Sequence, residues 1–124
     1  QMIKQGTGKI LTIGSVRGYL GHPGGYGAYG TTKGAVHLMT KQLATEWAKY
    51  HINVNCIAPC IFWTPLTQQV LEDEKLKQIF LSRIPWGRAA VPDDMIGATL
   101  FFSSAASDFV TGAILPVDGG SVAG

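Results

Sequence analysis

Residues 26–38 read YGAYGTTKGAVHL. Two side chains in this run, Tyr29 and Lys33, stand four positions apart where an apolar helical pattern begins. On a helix that spacing stacks them on one face, about one turn apart. Such pairs occur on many surface helices, so this one gains meaning only from its surroundings. Further along, Val36, Met39, Leu43, Trp47 and Tyr50 recur at steps of three and four. That period predicts an amphipathic helix from about Gly30 to Tyr50 with an apolar face to bury. Leu38 lies off the stripe, which predicts a second apolar face on the same helix.

Before the helix, KILTIGS (residues 9–15) is a short β-branched run that stops at Gly14 and Ser15, so a buried strand is expected there. Residues 16–25, VRGYLGHPGG, are loop by composition. After the helix, INVNCIAP (residues 52–59) predicts a second strand closed by Pro59. Strand, helix and strand in that order make a parallel crossover unit, whose sheet needs cover on both faces. Val70, Leu71, Leu76, Ile79 and Phe80 predict one further helix ending before Pro85. Another begins at Pro92, with Asp93 and Asp94 in its first turn complementing the helix dipole, although Val91 is a poor cap. GAILPVDGG (residues 112–120) reads as a last strand and a glycine turn. No repeat, low-complexity tract or linker divides the chain, so residues 1–124 are expected to form one unit.

Composition narrows the class. With 124 residues, 46% hydrophobic and 15% charged, the chain suits a small globular unit with a modest core. Ten basic and eight acidic residues are scattered for a net charge of +2, so no basic patch points to nucleic acid. The longest apolar runs, GATLFF (97–102) and GAILPV (112–117), are too short to span a bilayer, and QMIKQGTGK (1–9) lacks a signal-peptide core. A cytoplasmic protein that engages no membrane is expected. Cys56 and Cys60 fit neither a CxxC redox motif nor a zinc site and read as two small thiols in a reducing compartment. His22 and His51 have no third ligand at metal spacing, so no metal is assigned.

Ser15 ends a parallel strand, at the carboxyl edge where open α/β sheets bind ligands, and the following loop returns the chain to Tyr29. Three polar groups could then converge. Together with IGSVRG (13–18), YGTTK (29–33), INVNCIAP (52–59) and PVDGG (116–120), the chain resembles the classical short-chain dehydrogenase/reductase family over nearly its whole length. The extended branch of that superfamily shares the Ser and the Tyr-Lys pair, but would not be expected to end in VTGAILPVDGG (110–120).

The resemblance implies an α/β fold, the C-terminal half of a Rossmann-like doubly wound parallel sheet, with about three strands and three helices. It implies NAD or NADP as cofactor, a small-molecule carbonyl or alcohol substrate, and a homodimer or homotetramer packed through the Tyr29 helix. Tyr29 would exchange a proton with the substrate oxygen, Lys33 would tune it and hold the nicotinamide ribose, and Ser15 would orient the substrate oxygen. The residue types make chemical sense: a phenol titrates at roughly 10, and a nearby ammonium favours the phenolate. APCIFWT (residues 58–64) resembles the family's Pro-Gly-x-x-x-Thr loop, which assigns Pro59, Phe62 through its main chain, and Thr64 to the cofactor. Cys60 stands at the usual glycine, so either the loop is altered or Cys60 adopts an ordinary conformation. Trp63, Leu66 and Trp86 are candidates for a substrate pocket and equally for core or interface.

The family's glycine-rich phosphate turn, its residue choosing between NAD and NADP, and its catalytic Asn would lie before Gln1. GHPGGYG (21–27) follows the serine rather than a first strand and is not that turn. The chain is therefore expected to be the catalytic half of a family member, with one side of the strand at Lys9–Gly14 left unpaired. The competing expectation is a truncated or scaffold half that oligomerises but turns nothing over.

Overall fold

In a computed structural model describing residues 1–124, two β-branched runs form the parallel pair that organises the chain. β1 (Gly8–Ile13) and β2 (Ile52–Pro59) are in register from Gly8 opposite Ile52 to Ile13 opposite Ile57. β3 (Ile114–Val117) adds in parallel to the other side of β2, with Cys56 opposite Ile114. The order is β1–β2–β3, so β1 is an edge strand with a strand neighbour on one side only. The centre of β2, Val54 through Ala58, is buried without alternation, as a strand covered on both faces requires.

α1 (Met2–Gln5) is a single turn closed by Gly6 in the left-handed conformation. α2 (Gly27–Trp47) starts before the expected helix and runs into a 3₁₀ turn at Ala48–Tyr50. α3 (Gln68–Glu72) and α4 (Glu74–Leu81) occupy the region read as one helix. The break has a cause: Asp73 is extended, and its Oδ1 accepts the N–H groups of Lys75 and Leu76 as the cap of α4. A 3₁₀ turn at Pro92–Met95 leads into α5 (Ile96–Ser103). Its capping is done by Asp94, whose carboxylate takes the Val91 N–H at 2.8 Å. No helix is long and apolar enough to cross a membrane.

Side-chain alternation along β1 assigns the layers. Ile10 and Thr12 face α2: Ile10 packs against the cluster of Ala44, Ile52 and Val54, and Thr12 Oγ1 lies 2.7 Å from Thr40 Oγ1. Lys9 faces the other way, 2.7 Å from Asp108 beyond α5, and α5 packs on β1 and β2. The sheet is thus a middle layer, with α2 on one face and α5 on the other.

The buried face of α2 differs from the apolar stripe of the sequence. Its innermost residues are His37, Thr40 and Ala44; Leu43, Trp47 and Tyr50 flank the core, while Met39 is exposed. Short side chains let the helix approach the sheet closely, and the polar ones are satisfied where they lie. The Thr40 hydroxyl donates to the Val36 carbonyl at 2.8 Å.

Asn55, also buried, fastens β2 to the segment before β3. Its Nδ2 donates to Val110 O at 2.8 Å and its Oδ1 accepts the Ala113 N–H at 3.0 Å. Asn55→Leu leaves that N–H unpaired in the interior. Chemical denaturation of the full-length protein should show a loss of about 2–3 kcal/mol.

Candidate active site

Ser15 stands two residues beyond the end of β1 and is buried, 6% exposed. Its Oγ accepts the Arg17 N–H at 3.1 Å, capping the 3₁₀ turn Val16–Gly18 and leaving the hydroxyl proton free to donate elsewhere. Behind it stands His37 of α2. A Cβ on Gly14 would lie 2.4 Å from His37 Nε2, and one on Gly18 would lie 2.4 Å from Cε1 of the same ring. The imidazole therefore fills a notch that only two glycines leave open. Its Nε2 lies 3.5 Å from the Ser15 N, and Tyr19 packs on the ring with centroids 4.7 Å apart. Burial, reinforced by the charges of Lys41 and Lys33, pushes the His37 pKa below the ordinary histidine value. The neutral ring is the form that can accept the Ser15 N–H.

Tyr29 and Lys33 lie in the first turns of α2, as their spacing predicts. Tyr29 is 45% exposed. The Lys33 Nζ is 5.8 Å from the centre of the Tyr29 ring and donates to the Ile13 carbonyl at 3.0 Å. Ile13 is the last residue of β1, so this bond ties the lysine to the strand end that presents Ser15. An ammonium has three protons, and two remain for a ligand.

The loop after β2 is held by a residue the sequence reading passed over. Thr67 Oγ1 accepts the Thr64 N–H at 3.0 Å, lies 3.1 Å from Thr64 Oγ1, and donates to the Phe62 carbonyl. The Thr64/Thr67 spacing in TPLT was the available signal, a hydroxyl folding back on its own turn. With the Phe62 carbonyl taken, its N–H is the main-chain group left for a ligand. Cys60 has no positive φ, so it replaces glycine in an ordinary conformation. Burial first, and the Asp118 charge second, push its thiol up to about 11 and keep it neutral at physiological pH.

Ser15, Tyr29, Pro59, Phe62 and Thr64 all line one cavity of about 660 Å³ at the carboxyl ends of β1 and β2. Lys33 stands behind Tyr29 rather than in the lining. Leu66 lines the cavity, but Trp63 and Trp86 do not. Trp63 N instead donates to Ala90 O, which turns that residue along the Phe62–Ala90 bridge. Trp86 lines a smaller, separate cavity of about 350 Å³, beside Arg88. There Arg88 grips Asp94 through two bonds of 2.7 and 2.9 Å, which together with the Val91 N–H hold the carboxyl down at about 2. Tyr26, Val70, Phe80 and Met95 also line the large cavity and were not foreseen. They come from separate elements whose convergence has no signature in local sequence.

The family model described as Enoyl-(Acyl carrier protein) reductase matches residues 1–122. Gluconate 5-dehydrogenase of Gluconobacter oxydans (strain 621H) is 42% identical over 119 residues, covering 96% of this chain and 46% of its own length. The 2-dehydro-3-deoxy-D-gluconate 5-dehydrogenase of Dickeya dadantii (strain 3937) is 45% identical over 126 residues, covering 99% of this chain and 49% of the relative. Among solved structures, a gluconate 5-dehydrogenase from Burkholderia cenocepacia J2315 in complex with NADP and tartrate superposes with a TM-score of 0.94 at 41% identity, over 99% of this chain and 48% of that one. The chain belongs to the classical short-chain dehydrogenase/reductase family. It spans about half the length of the curated relatives it matches.

The neutral state of His37 has a measurable consequence. A folded-state pKa below the unfolded value of roughly 6.5 contributes stability that is present above that pH and is lost as pH falls toward the folded value. The unfolding free energy of the full-length protein should therefore decline from pH 7 to pH 5. In His37→Gln, whose amide cannot charge, that part of the decline should flatten. Equal slopes in the two proteins would show that His37 is not its source.

Proposed function

We propose that the full-length protein is an NAD- or NADP-dependent oxidoreductase that interconverts a carbonyl and an alcohol. The observation that carries this reading is the arrangement at the carboxyl end of β1: Ser15 and Tyr29 in one cavity, with Lys33 between Tyr29 and the Ile13 carbonyl. The residues fit a nicotinamide dinucleotide. Two uncommitted Lys33 protons suit ribose hydroxyls, and the Phe62 N–H and Thr64 hydroxyl suit a carboxamide at the Pro59 edge. When bound, the nicotinamide supplies or accepts the hydride.

The chain's own groups do the rest. The Ser15 hydroxyl donates to the substrate oxygen and fixes its position. The Tyr29 phenol gives that oxygen a proton during reduction and takes it back during oxidation. Lys33 stabilises the phenolate formed when the proton has moved, and orients the ribose. The named activities of the relatives are on sugar acids, which supports a hydroxyl-rich substrate. Leu38, 68% exposed, and Met39 lie together on the outer face of α2. Their exposure supports a homodimer or homotetramer formed through that helix. Leu38→Glu should then lower the mass of the full-length protein measured by light scattering, and an unchanged mass would reject this face as the interface.

Replacing Tyr29 by Phe removes the proton path and keeps the ring. In the full-length enzyme, kcat should fall roughly 10²–10⁴-fold with dinucleotide affinity nearly unchanged. Lys33→Ala should instead weaken dinucleotide binding as well as turnover. Activity of the Tyr29→Phe protein within tenfold of the parent would reject the assignment.

A further inference from the structure

The large cavity contains two guanidinium groups and no carboxylate. Arg17 and Arg83 both line it, whereas none of the chain's eight acidic residues does. The chain's ion pairs are Lys9–Asp108, Lys77–Glu74 and Arg88–Asp94, so neither cavity arginine has a counter-ion. Neither guanidinium donates a hydrogen bond within the chain; for Arg17 and Arg83 only the backbone N–H groups are bonded. Arg88, by contrast, is gripped by Asp94 in the neighbouring cavity.

Arg17 adjoins the reacting groups, and Arg83 lines the same cavity. Arg17 follows Ser15 by two residues, and its N–H is the one bound by Ser15 Oγ. Its guanidinium carbon lies 5.7 Å from the centre of the Tyr26 ring, and that ring meets Tyr29 edge-on at 6.2 Å. The stack fixes a long side chain that would otherwise be free. Arg83 arrives from beyond the end of α4, after Phe80, which also lines the cavity. Burial and then the Arg83 charge hold the Arg17 pKa below its ordinary value, and His22 is lowered by burial first and then by both charges. α2 adds the positive end of its dipole, with no acidic residue in its first turn.

We propose that Arg17 and Arg83 form an anion subsite for a carboxylate on the substrate, so that the enzyme takes a hydroxy or keto acid in preference to the neutral alcohol or carbonyl of the same carbon chain. This rests on the reading that Ser15 and Tyr29 hold the reacting oxygen. Two guanidinium forks match a carboxylate's paired acceptors, and a cavity of about 660 Å³ that also admits a nicotinamide ring favours a compact acid over a larger phosphate ester.

The test uses the full-length protein with NAD and with NADP, and compares gluconate, glucitol and glucitol 6-phosphate as substrates. Gluconate should give the highest kcat/KM. In Arg83→Met, which keeps an exposed apolar stem, the gluconate-to-glucitol ratio of kcat/KM should fall roughly tenfold or more. Arg83→Lys, which keeps the charge, should recover part of the ratio. Preference for glucitol or its phosphate, or a ratio within twofold of the parent in both Arg83→Met and Arg17→Met, would overturn the proposal. Calorimetry with tartrate separates this from failure of the redox reading. Tartrate binding that is lost in Arg83→Met, without turnover of any of the three substrates, leaves the anion subsite standing and removes the oxidoreductase assignment. Absence of both turnover and tartrate binding overturns both.

Discussion

The seating of α2 on the β1–β2 pair is the constraint from which the rest follows. A helix can approach a sheet this closely only where its inner face is short or its polar groups are paired, and α2 meets both conditions with Ala44, Thr40 and His37. Of these, His37 matters most to the site. Gly14 and Gly18 leave a notch, the imidazole fills it, and the strand end carrying Ser15 is held against the helix carrying Tyr29 and Lys33. A side chain at either glycine would collide with the ring and separate the two elements. The Lys33–Ile13 bond closes the same junction from the solvent side.

Around that junction the local charge is positive. Lys33, Arg17 and Arg83 and the amino end of α2 gather at the carboxyl ends of β1 and β2, while the buried Asp118 after β3 lies outside the cavity lining and accepts the Gly120 and Val122 N–H groups. In a cavity partly screened from water such charges act over longer distances than on an open surface. Positive charge depresses both histidines beyond the effect of burial, Lys41 and Lys33 acting on His37 and Arg17 and Arg83 on His22. An environment that disfavours added protons favours bound anions, and in that respect cofactor phosphates and an acidic substrate make the same demand.

Much of this was legible before any coordinates. The β-branched runs at 9–15 and 52–59 and the three-and-four spacing of the intervening helix are local patterns, and the parallel crossover follows from their order. Ser15, Tyr29 and Lys33 were identifiable because their spacing relative to those elements is fixed by strand ends and helix turns. The stripe was misread at Met39 because apolar periodicity weighs residues by hydrophobicity, whereas close packing selected Thr40 and His37 for size and bonding. The single helix expected through Val70, Leu71, Leu76, Ile79 and Phe80 failed at Asp73, where a side-chain cap outweighed continuous apolar spacing. Trp63 and Trp86 were open between substrate pocket, core and interface because large aromatics beside loops suit all three; the Phe62–Ala90 bridge turns Trp63 away from the large cavity, and Trp86 lines the smaller one.

The sequence by itself determined the element order, the parallel sense of β1 and β2, and which three polar residues sit at strand end and helix start, because strand and helix periods are local and the crossover rule then sets the strand sense. Tertiary structure alone decided that Thr67 holds the Phe62 loop, that His37 lies against two glycines, and that Arg17 and Arg83 share a cavity without a counter-ion. Arg17 and Arg83 belong to segments separated by α2, β2, α3 and α4. Only the packing of those elements brings the two charges together, and no periodicity in the intervening residues records it.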